Sequence, residues 1–115
     1  MSTRCMIEVE GCDVKLYRHC DGYPEGPHGV LATLIPQVKK FIYLRGFYEP
    51  EYLLARIAQW QMNGRDLNDV LGFGLDTSYH DDLEYIYRVR VNGIIEIWHS
   101  EMGERTKLSD AVKWN

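Results

Sequence analysis

Apolar and polar side chains alternate from Cys5 to Glu10, with Cys5, Ile7 and Val9 on one side and Met6, Glu8 and Glu10 on the other. A period of two predicts a half-buried strand. Glu10-Gly11-Cys12-Asp13 supplies turn residues. Val14 to His19 then alternates again, setting Val14 and Leu16 against Lys15, Tyr17 and His19, which predicts an N-terminal β-hairpin. The period changes at Val30. Val30, Leu31, Leu34, Ile35, Val38, Phe41 and Ile42 recur at helical spacing, predicting a helix over 30–45 with Gly46 as its C′ residue. Pro36 lies inside that run and lacks the N–H that would reach Ala32, so a kink or a restart is expected there. Glu49-Pro50 opens a second helix. It continues through Leu53, Leu54, Ile57, Ala58, Trp60 and Gln61 and stops at Asn63-Gly64. The two helices read as an αα-hairpin.

Beyond them, Val70 to Tyr79 is extended, and Gly72 and Gly74 suggest a bulge or a close backbone approach. His80-Asp81-Asp82 makes a polar turn. Leu83, Tyr85, Tyr87, Val89 and Val91 share one face of the clearest strand, 83–91. Asn92-Gly93 is a two-residue hairpin signal. That register sets Val91 against Ile94, Val89 against Glu96 and Tyr87 against Trp98, with Arg88 and Arg90 facing Ile95 and Ile97. Lys107 to Trp114 fits either a short helical turn or an edge strand, docking Val112 and Trp114. The order β-β-α-α-β-β-β predicts a single α+β domain over residues 1–115, with one mainly antiparallel sheet and both helices on one face.

Composition narrows the function classes. The 115 residues, 45% hydrophobic and 26% charged, suffice for a core without disulfide or metal staples. The formal net charge is -4 and the basic residues are spread without a block, which disfavours nucleic acid as a partner. No window approaches the ~20 apolar residues of a membrane span. Cys5, Cys12 and Cys20 stand seven and eight positions apart with no C-x-x-C. They read as reduced thiols of a cytoplasmic protein rather than zinc ligands, and no metal is expected. Gly72-Phe73-Gly74 lacks both a Walker lysine and a full G-x-G-x-x-G, so no cofactor is implied.

The chemistry concentrates in two polar blocks. Residues 17–26 bring Arg18, His19, Cys20, Asp21 and Tyr23 to a strand end and loop; residues 79–85 bring His80, Asp81 and Tyr85 to the start of another strand. If the 83–91 strand neighbours the first hairpin, His19, Asp21, His80 and Asp81 would converge at one sheet end as acid–base candidates. Arg18 would grip an anion, and Tyr23 and Tyr85 would contact a ligand. Turn chemistry alone accounts for most of the first block, since Asp-Gly and Tyr-Pro are turn formers. His19 and Cys20 are adjacent and point to opposite faces of a strand, so they do not form a nucleophile–base pair. Eight tyrosines make an aromatic interaction surface the competing expectation.

The string Tyr17-Arg18-His19-x-Asp21-Gly22-Tyr23-Pro24-Glu25-Gly26 resembles the opening of a group of small uncharacterised proteins of bacterial genomes, phages and prophages. Leu71-Gly72-Phe73-Gly74-Leu75 and His80-Asp81-Asp82-Leu83-Glu84-Tyr85-Ile86-Tyr87 look like its second block, so the resemblance covers about residues 13–91. Cys20 stands where the group has a large aromatic, and Asp81 where it has a glycine. The resemblance implies a phage or prophage accessory protein and brings no established activity with it. Two expectations result. The first is a non-catalytic binding protein with a protein partner, acting on a host component. The alternative is a small enzyme or anionic-ligand-binding protein using the His/Asp/Arg cluster. A homodimer through an exposed edge strand is compatible with both.

Overall fold

A computed structural model of the chain describes residues 3–63, 72–101 and 104–111. The elements are β1 (Cys5–Val9), β2 (Lys15–Arg18), α1 (Val30–Arg45), α2 (Pro50–Gln61), β3 (Phe73–Asp76), β4 (Tyr85–Val89), β5 (Ile95–Glu101) and β6 (Glu104–Ala111). This is the expected α+β order, extended by a sixth strand where an edge strand was one of two options. The positions of Val112 and Trp114 lie outside the described residues.

The strands form one sheet in the order β3-β2-β1-β4-β5-β6. Every pair is antiparallel except β1 and β4, which run parallel with Cys5 opposite Tyr85 and Val9 opposite Val89. The inward face of the sheet carries Cys5, Ile7, Val9, Leu16, Tyr87, Val89, Ile95 and Ile97. Against it pack Val30, Leu34, Val38 and Phe41 of α1 and Leu53, Leu54 and Ile57 of α2, so both helices cover one face. Each such side chain contributes about 1.5–3 kcal/mol relative to remaining exposed.

The other face is crossed by residues 77–84, which link β3 at one side of the sheet to β4 beyond β2 and β1. This segment lays Leu83 on Met6 and Ile86, with Tyr79 packed alongside. It explains why every residue of β1 is buried, although its alternation predicts one polar face. Leu83 therefore sits on the face opposite Tyr85, Tyr87 and Val89, contrary to the expected stripe, because the strand begins only at Tyr85.

One expectation is narrowed and two others are corrected. Helix α1 runs through Pro36 as a single element, which excludes the restart. Ala32 and Pro36 are both exposed, so the carbonyl that loses its partner faces solvent. Gly74 causes neither a bulge nor a close approach: β2 and β3 pair without a register shift, and nothing lies within 4 Å of where a Cβ would be.

The β4–β5 hairpin turns through three residues, not two. Arg90 donates to Ile94 O at 2.8 Å, Gly93 donates to Arg90 O at 2.8 Å, and Gly93 adopts φ 84°. The extra residue slips the register by one, and a one-residue slip exchanges faces. Val89 now opposes Ile95 and Tyr87 opposes Ile97 inside, while Arg88 opposes Glu96 outside. The two-residue register would have set Glu96 beside buried Val89 and left Arg88 facing an isoleucine.

Candidate functional site

Alternation along β2 sends Leu16 and Arg18 toward the helices and Lys15, Tyr17 and His19 to the opposite face. The first polar block is therefore divided between two places.

On the helix side, Arg18 is buried, with 6% of its surface exposed. Its Nε donates to Cys20 O at 2.9 Å and its Nη1 to Gln61 Oε1 at 2.5 Å. Gln61, the last residue of α2 and equally buried, donates from Nε2 to Thr33 Oγ1 at 3.0 Å and to Gln37 Oε1 at 3.1 Å. Both partners of Arg18 are neutral. No carboxylate of the described residues lies within ion-pair distance of it, although Asp21 lines the same cavity. This cavity, of about 210 Å³, opens between the loop before α1, the first turn of α1 and the end of α2. His28, Thr33, Trp60 and Asn63 complete its wall.

The loop that forms its rim is held tightly. Asp21 takes a left-handed backbone (φ 55°). Gly22 donates to Thr3 O at 2.9 Å and receives the Tyr87 hydroxyl on its own carbonyl at 2.5 Å. Tyr23 O and Pro24 O accept from Val30 and Leu31, capping α1 with backbone in place of a side chain. A Cβ on Gly29 would lie 2.2 Å from Glu25 O. Much of the distinctive 17–26 string is thus explained by loop geometry. Tyr23 serves the cap through its backbone, and Arg18 and Asp21 are the members that face the cavity.

The opposite face gathers the two histidines. The Tyr17 hydroxyl lies 3.0 Å from His19 Nδ1, and the Tyr17 ring stacks on His80 with centroids 4.1 Å apart. His80 Nε2 is 3.4 Å from Asp76, and Arg4 Nε is 3.1 Å from Asp82. The two blocks touch here, at Tyr17, because the segment between β3 and β4 carries His80 across the face of β2. Asp21 is not part of the meeting, and Asp81 lies exposed in the turn. Tyr85 is on the helix side, its ring 5.6 Å from that of His99. Burial, followed by the nearby Asp82 carboxylate, holds the Tyr17 phenol above its ordinary pKa. A phenol so held is a poor base.

The rest of this face is crossed by an ion pair and by cation–ring contacts. Glu8 accepts from Tyr79 Oη at 2.6 Å and from Arg88 Nε, and Arg88 lies over the Trp98 ring at 5.2 Å. Lys15 and Arg105 cover the Tyr79 ring at 5.0 and 4.3 Å. Of these cations Arg88 is paired with the Glu8 carboxylate, whereas Lys15 donates to the carbonyls of Asp13 and Thr77 and Arg105 rests on the Tyr79 ring. Among the described residues no group of three or more His, Cys, Asp or Glu is placed to hold a metal ion, and no helix is long and apolar enough to cross a membrane.

Gln61 and Trp60 are the cavity residues that sequence reasoning passed over as helix-face positions. A signal existed: Leu54, Ile57 and Gln61 occupy one helical stripe, and a glutamine on an apolar stripe marks a buried polar group. No family model, no curated protein and no solved structure matches the chain.

Proposed function

We propose that the protein is a non-catalytic binding protein for an anionic group, which Arg18 receives in the cavity between the 21–29 loop and the end of α2. The observation that carries this reading is the Arg18 guanidinium. It is buried, tied only to neutral oxygens among the described residues, and borders an open cavity. Removing a cation from water costs several kcal/mol unless an anion meets it. Gln61 fixes one arm of the guanidinium fork, leaving its planar donor set oriented for a carboxylate, phosphate or sulfate oxygen. Asp21 on the cavity wall repels a second negative charge, which favours a ligand bearing a single anionic group near Arg18.

An acid–base enzyme at Tyr17, His19 and His80 is the weaker reading. Those side chains do not line the Arg18 cavity, and the phenol is biased toward its protonated form.

The test is thermal denaturation at constant ionic strength with chloride exchanged for phosphate, sulfate or acetate. A ligand at 100 times its Kd stabilises by about 2.7 kcal/mol. The expected result is a rise in Tm with at least one of these anions, lost in Arg18→Met and weakened in Arg18→Lys. No rise with any of them, or an equal rise in Arg18→Met, would overturn the reading.

A further inference from the structure

The cavity over Arg18 is small. At about 210 Å³ it falls below the roughly 300 Å³ at which small-molecule sites begin. It holds a head group and little more. It is also not closed off: Thr33, Trp60 and Asn63 belong equally to a neighbouring depression of about 430 Å³ between α1 and α2. Trp60 in turn borders a third, also of about 430 Å³, walled by Phe41, Leu44, Arg45, Tyr52 and Arg56. One groove thus runs along the outer surface of the helix pair and ends at Arg18.

Its chemistry differs from the rest of the chain. Tyr43, Leu44, Phe47 and Tyr52 are large apolar side chains more than half exposed on this helical layer. Exposed apolar area rimmed by charge marks an interaction site. Residues 30–63 carry four cations, Lys39, Lys40, Arg45 and Arg56, against two carboxylates, Glu49 and Glu51, in a chain whose net charge is -4. Arg45 is paired with Glu49, whereas Arg56 donates only to the neutral Gln59 among the described residues. Lys40 lines the middle of the groove.

We infer that the anion received by Arg18 is a carboxylate of another protein, carried on an acidic segment with aromatic or aliphatic side chains that lies along the α1–α2 groove. This rests on the reading of Arg18 as an anion site. The carboxylate enters the small cavity, apolar side chains pack on Trp60 and Tyr52, and further acidic residues face Lys40 and Arg56. A free metabolite would fill the cavity and leave the groove unused. A segment of protein engages both, and opposite charge supplies its orientation.

An unbiased peptide display library, selected on the whole protein, provides the probe. The expected outcome is enrichment of peptides combining Asp or Glu with aromatic or aliphatic residues. Their affinity should fall about 30-fold or more in Arg18→Met, the loss that truncating one member of a buried charge pair causes. It should fall about tenfold in Arg56→Glu, while the acetate or phosphate response of Arg56→Glu stays at the wild-type level. Circular dichroism confirms the fold of each variant, and Arg18→Lys, which keeps the charge but not the fork, repeats the measurement if Arg18→Met does not fold.

If acetate or phosphate binds and no acidic peptide is enriched, or enriched peptides ignore Arg56→Glu, the inference fails and the anion site stands. If neither small anions nor peptides respond to Arg18, both fall. A concentration-dependent dimer abolished by Arg56→Glu would overturn the inference in favour of a second copy of this chain in the groove.

Discussion

Tyr87→Phe deletes one oxygen atom and tests what holds the rim of the cavity. Tyr87 is fully buried at the centre of β4, and its hydroxyl donates to Gly22 O at 2.5 Å. That bond joins the sheet to the tight loop before α1, 65 residues earlier in the chain. Burial pushes the phenol well above its ordinary pKa, so it remains a donor throughout the accessible pH range. Phenylalanine preserves the ring and leaves the Gly22 carbonyl buried without that partner. An unsatisfied buried acceptor costs about 1–3 kcal/mol, so the expected loss is about 2 kcal/mol. For a domain of this size that corresponds to a Tm lower by about 8 °C. Urea denaturation followed by circular dichroism should show a lower midpoint with an unchanged slope. Tyr85→Phe is the control. It lies on the same strand and face, and its hydroxyl has no hydrogen bond among the described residues, so its effect should stay within about 0.5 kcal/mol. If the two variants lose the same small amount, the hydroxyl is not what anchors the loop. Weaker anion binding by Tyr87→Phe alone would connect the anchor to the cavity.

The remaining predictions probe other parts of the structure. Burial raises the Cys5 thiol from 9.0 to about 12, whereas an unfolded Cys5 ionises near 9. Unfolding above that pH therefore releases a proton, and between pH 9 and 10, below the range where the buried phenols add their own release, stability should decline by as much as about 1.4 kcal/mol per pH unit. Urea melts at increasing pH should show that slope, and Cys5→Ala should reduce it. The same burial predicts that a thiol reagent at neutral pH modifies exposed Cys20 before Cys5, as mass spectrometry of the peptides would show. Gly29→Ala should cost more than about 2 kcal/mol because its Cβ meets the backbone of Glu25, whereas Gly74→Ala, with open space around it, should be nearly neutral by the same melts. Arg88→Met should cost about 2 kcal/mol by leaving nearly buried Glu8 short of its cation, and Arg90→Met, which loses an exposed pair with Glu10, at most about 1 kcal/mol.

Most of the fold was legible because hydrophobic period separates strands from helices along this chain. The 5–9 and 15–18 strands, both helices and the parting of Arg18 from His19 all follow from period alone. What escaped were features fixed by one residue or by distant contacts. Asn92-Gly93 fits more than one turn, and the third loop residue was decided by the gain of setting Arg88 beside Glu96 and Ile95 inside. The burial of Met6 and Glu8 depends on a segment more than 70 residues away folding over them, which no local pattern encodes. At the candidate site, Arg18 and Asp21 could be named from their loop. That His80 would lie on the opposite face, stacked on Tyr17, could not, because the 77–84 segment that carries it crosses the sheet through contacts distant in sequence. Gln61 was visible only as an oddity on an apolar stripe.

The parallel pairing of β1 with β4 has a consequence for how the chain is made. Glu8 and Arg88 are bonded neighbours 80 residues apart, so β1 has no partner on that side until β4 has been synthesised. At roughly 5–20 residues per second, translation leaves that edge open for several seconds. During that interval the β1–β2 hairpin and the two helices are already available, but the centre of the sheet offers an unpaired backbone flanked by apolar side chains and the still unpaired Glu8. Refolding from denaturant meets the same long-range closure as a slow step. The nascent chain, rather than the finished protein, is therefore the form in which aggregation is expected, and codon changes that slow synthesis between the helices and β4 should lower soluble yield without altering the folded product.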